Sequence, residues 1–129
     1  MSRSYRRVVL PVLVVALLGL AACGSSGGGS SSDTKTAVDG KIDVTARDPY
    51  NFDVKTINAQ PGPLTVTLHE KGTSEHTFTI PDKDFEIKVN PSNPTATGTV
   101  TLEAGKTYDF KCSFDGHAAA GMRGKIVVG

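Results

Sequence analysis

From residue 41 onward the chain alternates. In PLTVTLHE, residues 63–70, Leu64, Val66 and Leu68 fall on one parity while Thr65, Thr67 and His69 fall on the other. A period of two marks an extended strand with one face toward a core. Strand-like segments recur at KIDVTA (41–46), FDVKTI (52–57), HTFTI (76–80), FEIKV (85–89), TGTVTL (97–102), KTYDFKC (106–112) and GKIVV (124–128). Gly or Pro punctuates most of the breaks, at Pro61-Gly62-Pro63, Gly72, Pro81, Pro91, Pro94, Gly105 and Gly116. These are positions where the ladder must end or turn. About eight short strands and no amphipathic helical stretch predict an all-β, antiparallel β-sandwich or barrel. At 129 residues the chain is long enough for one such domain. It lies near the small end for a self-sufficient core, so a bound ligand would add usefully to stability.

The first 22 residues are of another kind. Arg3, Arg6 and Arg7 form a basic start, followed by an apolar run from Val8 to Leu20. This is the pattern of a secretory signal peptide, too short and one-sided for a membrane span. Leu20-Ala21-Ala22-Cys23 resembles the lipobox of bacterial lipoproteins. The resemblance implies cleavage before Cys23 and a diacylglyceryl anchor on its thiol. That would place the protein at the extracytoplasmic face of a membrane, at a cell surface or in a periplasm. GSSGGGSSSDTKT, residues 24–36, has no apolar residue to bury. This stretch is therefore expected to be a flexible tether reaching roughly 20 Å, within a lipidated-cysteine and linker region of residues 23–40, with residues 41–129 the folded domain.

Charge narrows the partners. The whole chain carries a formal charge of +1, from 14 Lys and Arg against 13 Asp and Glu. Losing Arg3, Arg6 and Arg7 with the signal leaves 11 basic residues against 13 acidic ones, or −2. Neither value points to nucleic acid or to a polybasic membrane patch. A secreted chain enters an oxidising compartment, where cysteines are expected to pair. With Cys23 acylated, Cys112 has no partner and needs another explanation.

Parity sorts the three histidines. His69 stands opposite Leu64, Val66 and Leu68 and is expected to face solvent. His76 shares its face with Phe78 and Ile80, and Cys112 ends the row of Tyr108 and Phe110. Taken singly, a core-facing histidine is more often a satisfied core residue than a ligand, and a buried cysteine is usually a small hydrophobe. Together they read otherwise. His76, Cys112, His117 and Met122 supply two imidazoles, one thiol and one thioether, the last three at even spacing in CSFDGHAAAGMRG. A cysteine with two imidazoles and a weak axial thioether is the ligand set of blue-copper electron-transfer sites. A structural zinc site would recruit more Cys or His and no Met.

On these residues, Glu75-His76-Thr77-Phe78 and Cys112-x4-His117-x4-Met122 before Gly124-Lys125-Ile126-Val127-Val128, residues 41–129 resemble the cupredoxins. The second spacing is most similar to that of rusticyanin and auracyanin. The resemblance implies a Greek-key, cupredoxin-like sandwich holding one copper ion, with His76, Cys112 and His117 equatorial and Met122 axial. It also implies docking of redox partners, a donor and an acceptor, on the small residues Ala118, Ala119, Ala120 and Gly121 beside His117. Two positions depart from the family pattern. Thr77 stands where Asn is common, so the hydroxyls of Thr77 and Ser113 are expected to tie the two ligand segments together. Asp115 stands where Pro is frequent before the glycine.

The function expected is single-electron transfer by a monomer, not catalysis. Related copper enzymes need further histidine-rich centres, and this chain has three histidines, two of them already assigned. The alternative is a copper carrier, chaperone or storage lipoprotein that delivers the ion to a cuproenzyme. Such a carrier would be expected to show more exposed Met or His.

Overall fold

The structure, a computed structural model, describes residues 33–129. The expected signal peptide, Cys23 and residues 24–32 of the tether lie outside the described residues. Among the described residues ten strands follow in order: β1 (Thr34–Thr36), β2 (Lys41–Arg47), β3 (Asn51–Phe52), β4 (Thr56–Ala59), β5 (Gly62–Glu70), β6 (His76–Ile80), β7 (Phe85–Val89), β8 (Thr95–Leu102), β9 (Thr107–Lys111) and β10 (Arg123–Val128). They form a six-stranded sheet, β1-β4-β10-β9-β6-β7, and a four-stranded sheet, β3-β2-β5-β8.

The core lies between the sheets and follows the parity of the sequence. Ile42, Val44 and Ala46 of β2, Leu64, Val66 and Leu68 of β5, and Tyr108 and Phe110 of β9 are all buried. Phe52, Phe78 and Phe110 meet at its centre, with Phe78 stacked on Phe110 at 4.7 Å and Phe52 edge-on to both. Aromatic pairs of this kind contribute ~0.5–1.5 kcal/mol beyond their burial. The cluster lies directly behind the ends of β6 and β9, the strands that lead to His76 and Cys112.

Three expectations are corrected. The sheets are mixed, not antiparallel: β1 and β10 both run parallel to β4, and β2 runs parallel to β5. Alternation reports which face of a strand is buried but not which strand lies beside it. Between β2 and β5 the chain crosses to the other sheet to make β4, and a long connection of this kind is what parallel neighbours require. FDVKTI is two strands, not one. Asp53 accepts the Thr45 amide at 2.9 Å and pairs with Lys35 at 2.7 Å, which ends β3 before β4 begins in the other sheet. Finally, the order begins before residue 41. Thr34–Thr36 pairs with Thr56–Asn58, and the Ala37 amide donates to the Asn58 carbonyl at 2.8 Å. Backbone pairing needs no apolar side chain, so a polar stretch gave no sign of it.

Candidate metal centre

β6 and β9 are antiparallel neighbours, with Thr79 opposite Lys111. This brings the first residue of β6, His76, beside the residue that follows β9, Cys112. The segment from 113 to 121 then folds back through a series of turns. The His117 amide donates to the Phe114 carbonyl at 3.2 Å and the Ala120 amide to the Gly116 carbonyl at 3.0 Å. Gly116 and Gly121 have φ of +79° and +110°, conformations that glycine adopts without steric cost. Two backbone bonds close the loop: Met122 amide to His117 carbonyl and Cys112 amide to Met122 carbonyl, both 3.0 Å.

His76, Cys112 and His117 converge so that one ligand atom from each lies within 4.8 Å of the others. Cys112 Sγ is 3.4 Å from His117 Nδ1. His76, Cys112 and Met122 are buried and His117 is half-buried. The His117 pKa is lowered, first by burial and then by the facing His76. That shift favours the neutral imidazole, the form that binds metal.

The residues fit a copper ion on a direct observation. Both ring nitrogens of His76 are buried without a hydrogen-bond partner, a condition rare for buried polar atoms and in need of a cause. A cation shared with Cys112 and His117 would satisfy one of them. The mixture of thiolate, two imidazoles and thioether is that of copper electron-transfer sites, not of a closed zinc site.

Thr77 and Ser113 are brought together. Their hydroxyls lie 3.0 Å apart, and the Ser113 amide donates to Thr77 Oγ1 at 2.7 Å. The Thr77 amide points at Cys112 Sγ, 3.4 Å away. Ala119 and Ala120 are exposed at the rim, while Ala118 and Gly121 are half-buried. Asp115 is exposed on the same loop. His69 lies apart from the site, on the outer face of the other sheet, 2.8 Å from Asp43 Oδ1.

Sequence reasoning missed three residues. Asp48 Oδ1 and Glu70 Oε2 lie 3.6 and 3.8 Å from His76 Nε2, so the ring has carboxylates on its far side. Asp48, Glu70 and His76 also form a second group close enough to share a cation. Glu70 is buried, its Oε2 has no hydrogen-bond partner, and its Oε1 accepts the Gly72 amide. Hydrogen bonds from the Thr73 hydroxyl and amide, then from Ser74, hold Asp48 well below the usual carboxylate range. Glu70 had a signal in the sequence: it continues the row of Leu64, Val66 and Leu68, and a carboxylate on that parity is out of place in a plain core. Asp48 had none. Nor did Tyr50, whose ring packs on His117 at 4.3 Å between centroids.

A family model described as a cupredoxin-like domain matches residues 12–128. No curated protein matches the sequence. Among solved structures, reduced auracyanin from Roseiflexus castenholzii is 22% identical, over 72% of this chain and 99% of its own, with a TM-score of 0.62. The metal-binding domain of the Cu(I)-exporting ATPase CopA from Streptococcus pneumoniae is 16% identical, over 74% and 95%, with a TM-score of 0.60. Rusticyanin from Thiobacillus ferrooxidans is 24% identical, over 79% and 86%, with a TM-score of 0.55. At these identities the likeness is one of fold.

Proposed function

The chain belongs to the cupredoxin-like family, and on that premise we propose that it is a membrane-tethered, extracytoplasmic blue-copper protein that carries single electrons between redox partners. The observation that carries this reading is the buried imidazole of His76, without a hydrogen-bond partner and set against Cys112 and His117. Copper held there by His76, Cys112, His117 and Met122 would supply a one-electron Cu(II)/Cu(I) couple.

The chain's own residues do the rest. The Thr77 amide and the Thr77–Ser113 contact hold Cys112 in place from the β6 side. Such outer partners fix the orientation of a ligand and so the metal affinity. Met122 is fully buried, and its thioether would add a ligand without adding charge. Ligands fixed in this way move little between oxidation states, which keeps the cost of each transfer low. His117 lies nearest the rim, where exposed Ala119 and Ala120 offer a small apolar surface to a partner. In this reading a diacylglyceryl group on Cys23 tethers the domain to the membrane.

Burial of three of the four proposed ligands favours retention of the ion over delivery to a cuproenzyme. The test is direct. Cu(II) added to the purified protein should give an intense blue thiolate-to-copper band that bleaches on reduction and returns on oxidation with the ion retained. A colourless protein that binds no copper overturns the reading; a colour that appears once and is lost with released Cu(I) replaces it with copper delivery.

A further inference from the structure

A groove of about 600 Å³ opens beside the ligand loop, lined by Lys55, Asp109, Lys111, Ala118, Arg123 and Lys125 among others. Lys111, Arg123 and Lys125 are exposed, and Lys55 is half-buried just before β4. We propose that this groove docks an acidic surface of a redox partner protein, presenting carboxylates to the four cations. The inference rests on the electron-transfer reading of the neighbouring site and adds to it the charge of the partner.

Four features support it. First, the cations outnumber the one acid lining the groove, although the described chain as a whole is nearly neutral. Second, Lys111 and Arg123 stand directly opposite each other in the β9–β10 ladder. Like charges so placed weaken a sheet, so sheet stability does not account for them. Third, among the described residues neither they nor Lys125, which stands opposite Asp109 in the ladder, has a carboxylate within ion-pair distance. Lys41, Arg47 and Lys71 share that property, so it is the grouping of these cations in one groove that sets them apart. Fourth, the groove adjoins the metal centre through the chain itself. Lys111 precedes Cys112, Arg123 follows Met122, and Lys55 Nζ donates to the Gly121 carbonyl. A partner held here lies against the segments that carry both sulfur ligands. Unpaired positive charge at such a place speeds encounter with an acidic partner and orients it.

The test uses the full chain, loaded with copper, and a dye-labelled hexaglutamate peptide as the probe, with labelled hexaglutamine as control. Fluorescence anisotropy at low ionic strength should show binding of the acidic peptide alone, weakening as salt is added. Lys111→Gln, Arg123→Gln and Lys125→Gln combined should weaken it at least tenfold with the blue band unchanged. The matched set Lys41→Gln, Lys71→Gln and Lys106→Gln removes the same charge elsewhere and should change it less than twofold. Equal losses in both sets would mean that net charge alone is felt and would overturn the groove. So would tight saturation by inorganic phosphate with no hexaglutamate binding, which would make it a small-anion site. A blue band with no peptide binding removes the groove and leaves the electron-transfer reading intact. Peptide binding with no blue band overturns that reading instead.

Discussion

The imidazole of His76 is enclosed on every side, and its surroundings divide into two kinds of chemistry. Nε2 looks toward Asp48 and Glu70, while Cys112 and His117 gather close to the same ring. With carboxylates near Nε2, Nδ1 would be the nitrogen left to hold a metal, the arrangement by which an outer acid orients a ligating histidine. Glu70→Ala should therefore lower copper affinity about 10- to 100-fold, read by competition against a chelator of known affinity; unchanged affinity would mean that the carboxylate is incidental. Thr77→Val keeps the shape and removes the hydroxyl that meets Ser113 at 3.0 Å. A shifted blue band together with weaker copper binding is expected, and an identical spectrum and affinity would dismiss the tie between the two segments. Of these residues, Thr77 was legible from its place next to His76. Glu70 was legible only as an anomaly of parity. Asp48 and Tyr50 gave no sign, because a turn has no period from which to read a facing direction.

At the level of elements, the site depends on how closely β10 returns to the sheet. Gly124 passes so near the Lys55 carbonyl and the Phe110 ring that a Cβ would collide with both. Phe110 in turn stacks on Phe78, two residues after His76. Gly124→Ala should thus force β10 outward or displace the Phe110 ring, and overpacking of this kind costs ~1–3 kcal/mol. A lowered thermal midpoint with a broadened or shifted blue band is the expected result; a midpoint equal to wild type would show that the strand gives way freely. Most strands were readable from alternation, within a residue or two at their ends. The exceptions are instructive: β1 has no apolar pattern, and the break between β3 and β4 depends on Asp53 reaching residues far away in the chain, Thr45 and Lys35.

For the whole molecule, a copper ion held by the proposed ligands would link the start of β6, the end of β9 and the entry to β10, and so cross-brace the larger sheet. An ion that binds only the folded state stabilises it by mass action, ~2.7 kcal/mol at a concentration 100 times Kd. Removing copper should accordingly lower the thermal midpoint by several degrees. In Cys112→Ser, which still fills the position, adding or removing copper should have little effect on the midpoint. Identical midpoints for the copper-loaded and copper-free wild type, measured by calorimetry, would mean that the ion contributes nothing to the fold.

The sequence by itself determined that His76 and Cys112 stand on buried faces, which face of most strands is buried, and that His69 stands apart from His76. Those are properties of one strand at a time, set by a two-residue period. Only the tertiary structure decided that β2 and β5 run parallel, that Asp48 and Glu70 stand behind His76, that Tyr50 covers His117, and that Lys55, Lys111, Arg123 and Lys125 share one groove. Each of these joins residues from different strands or turns. Which strands become neighbours is settled by packing two sheets around a common core, and no local pattern records it.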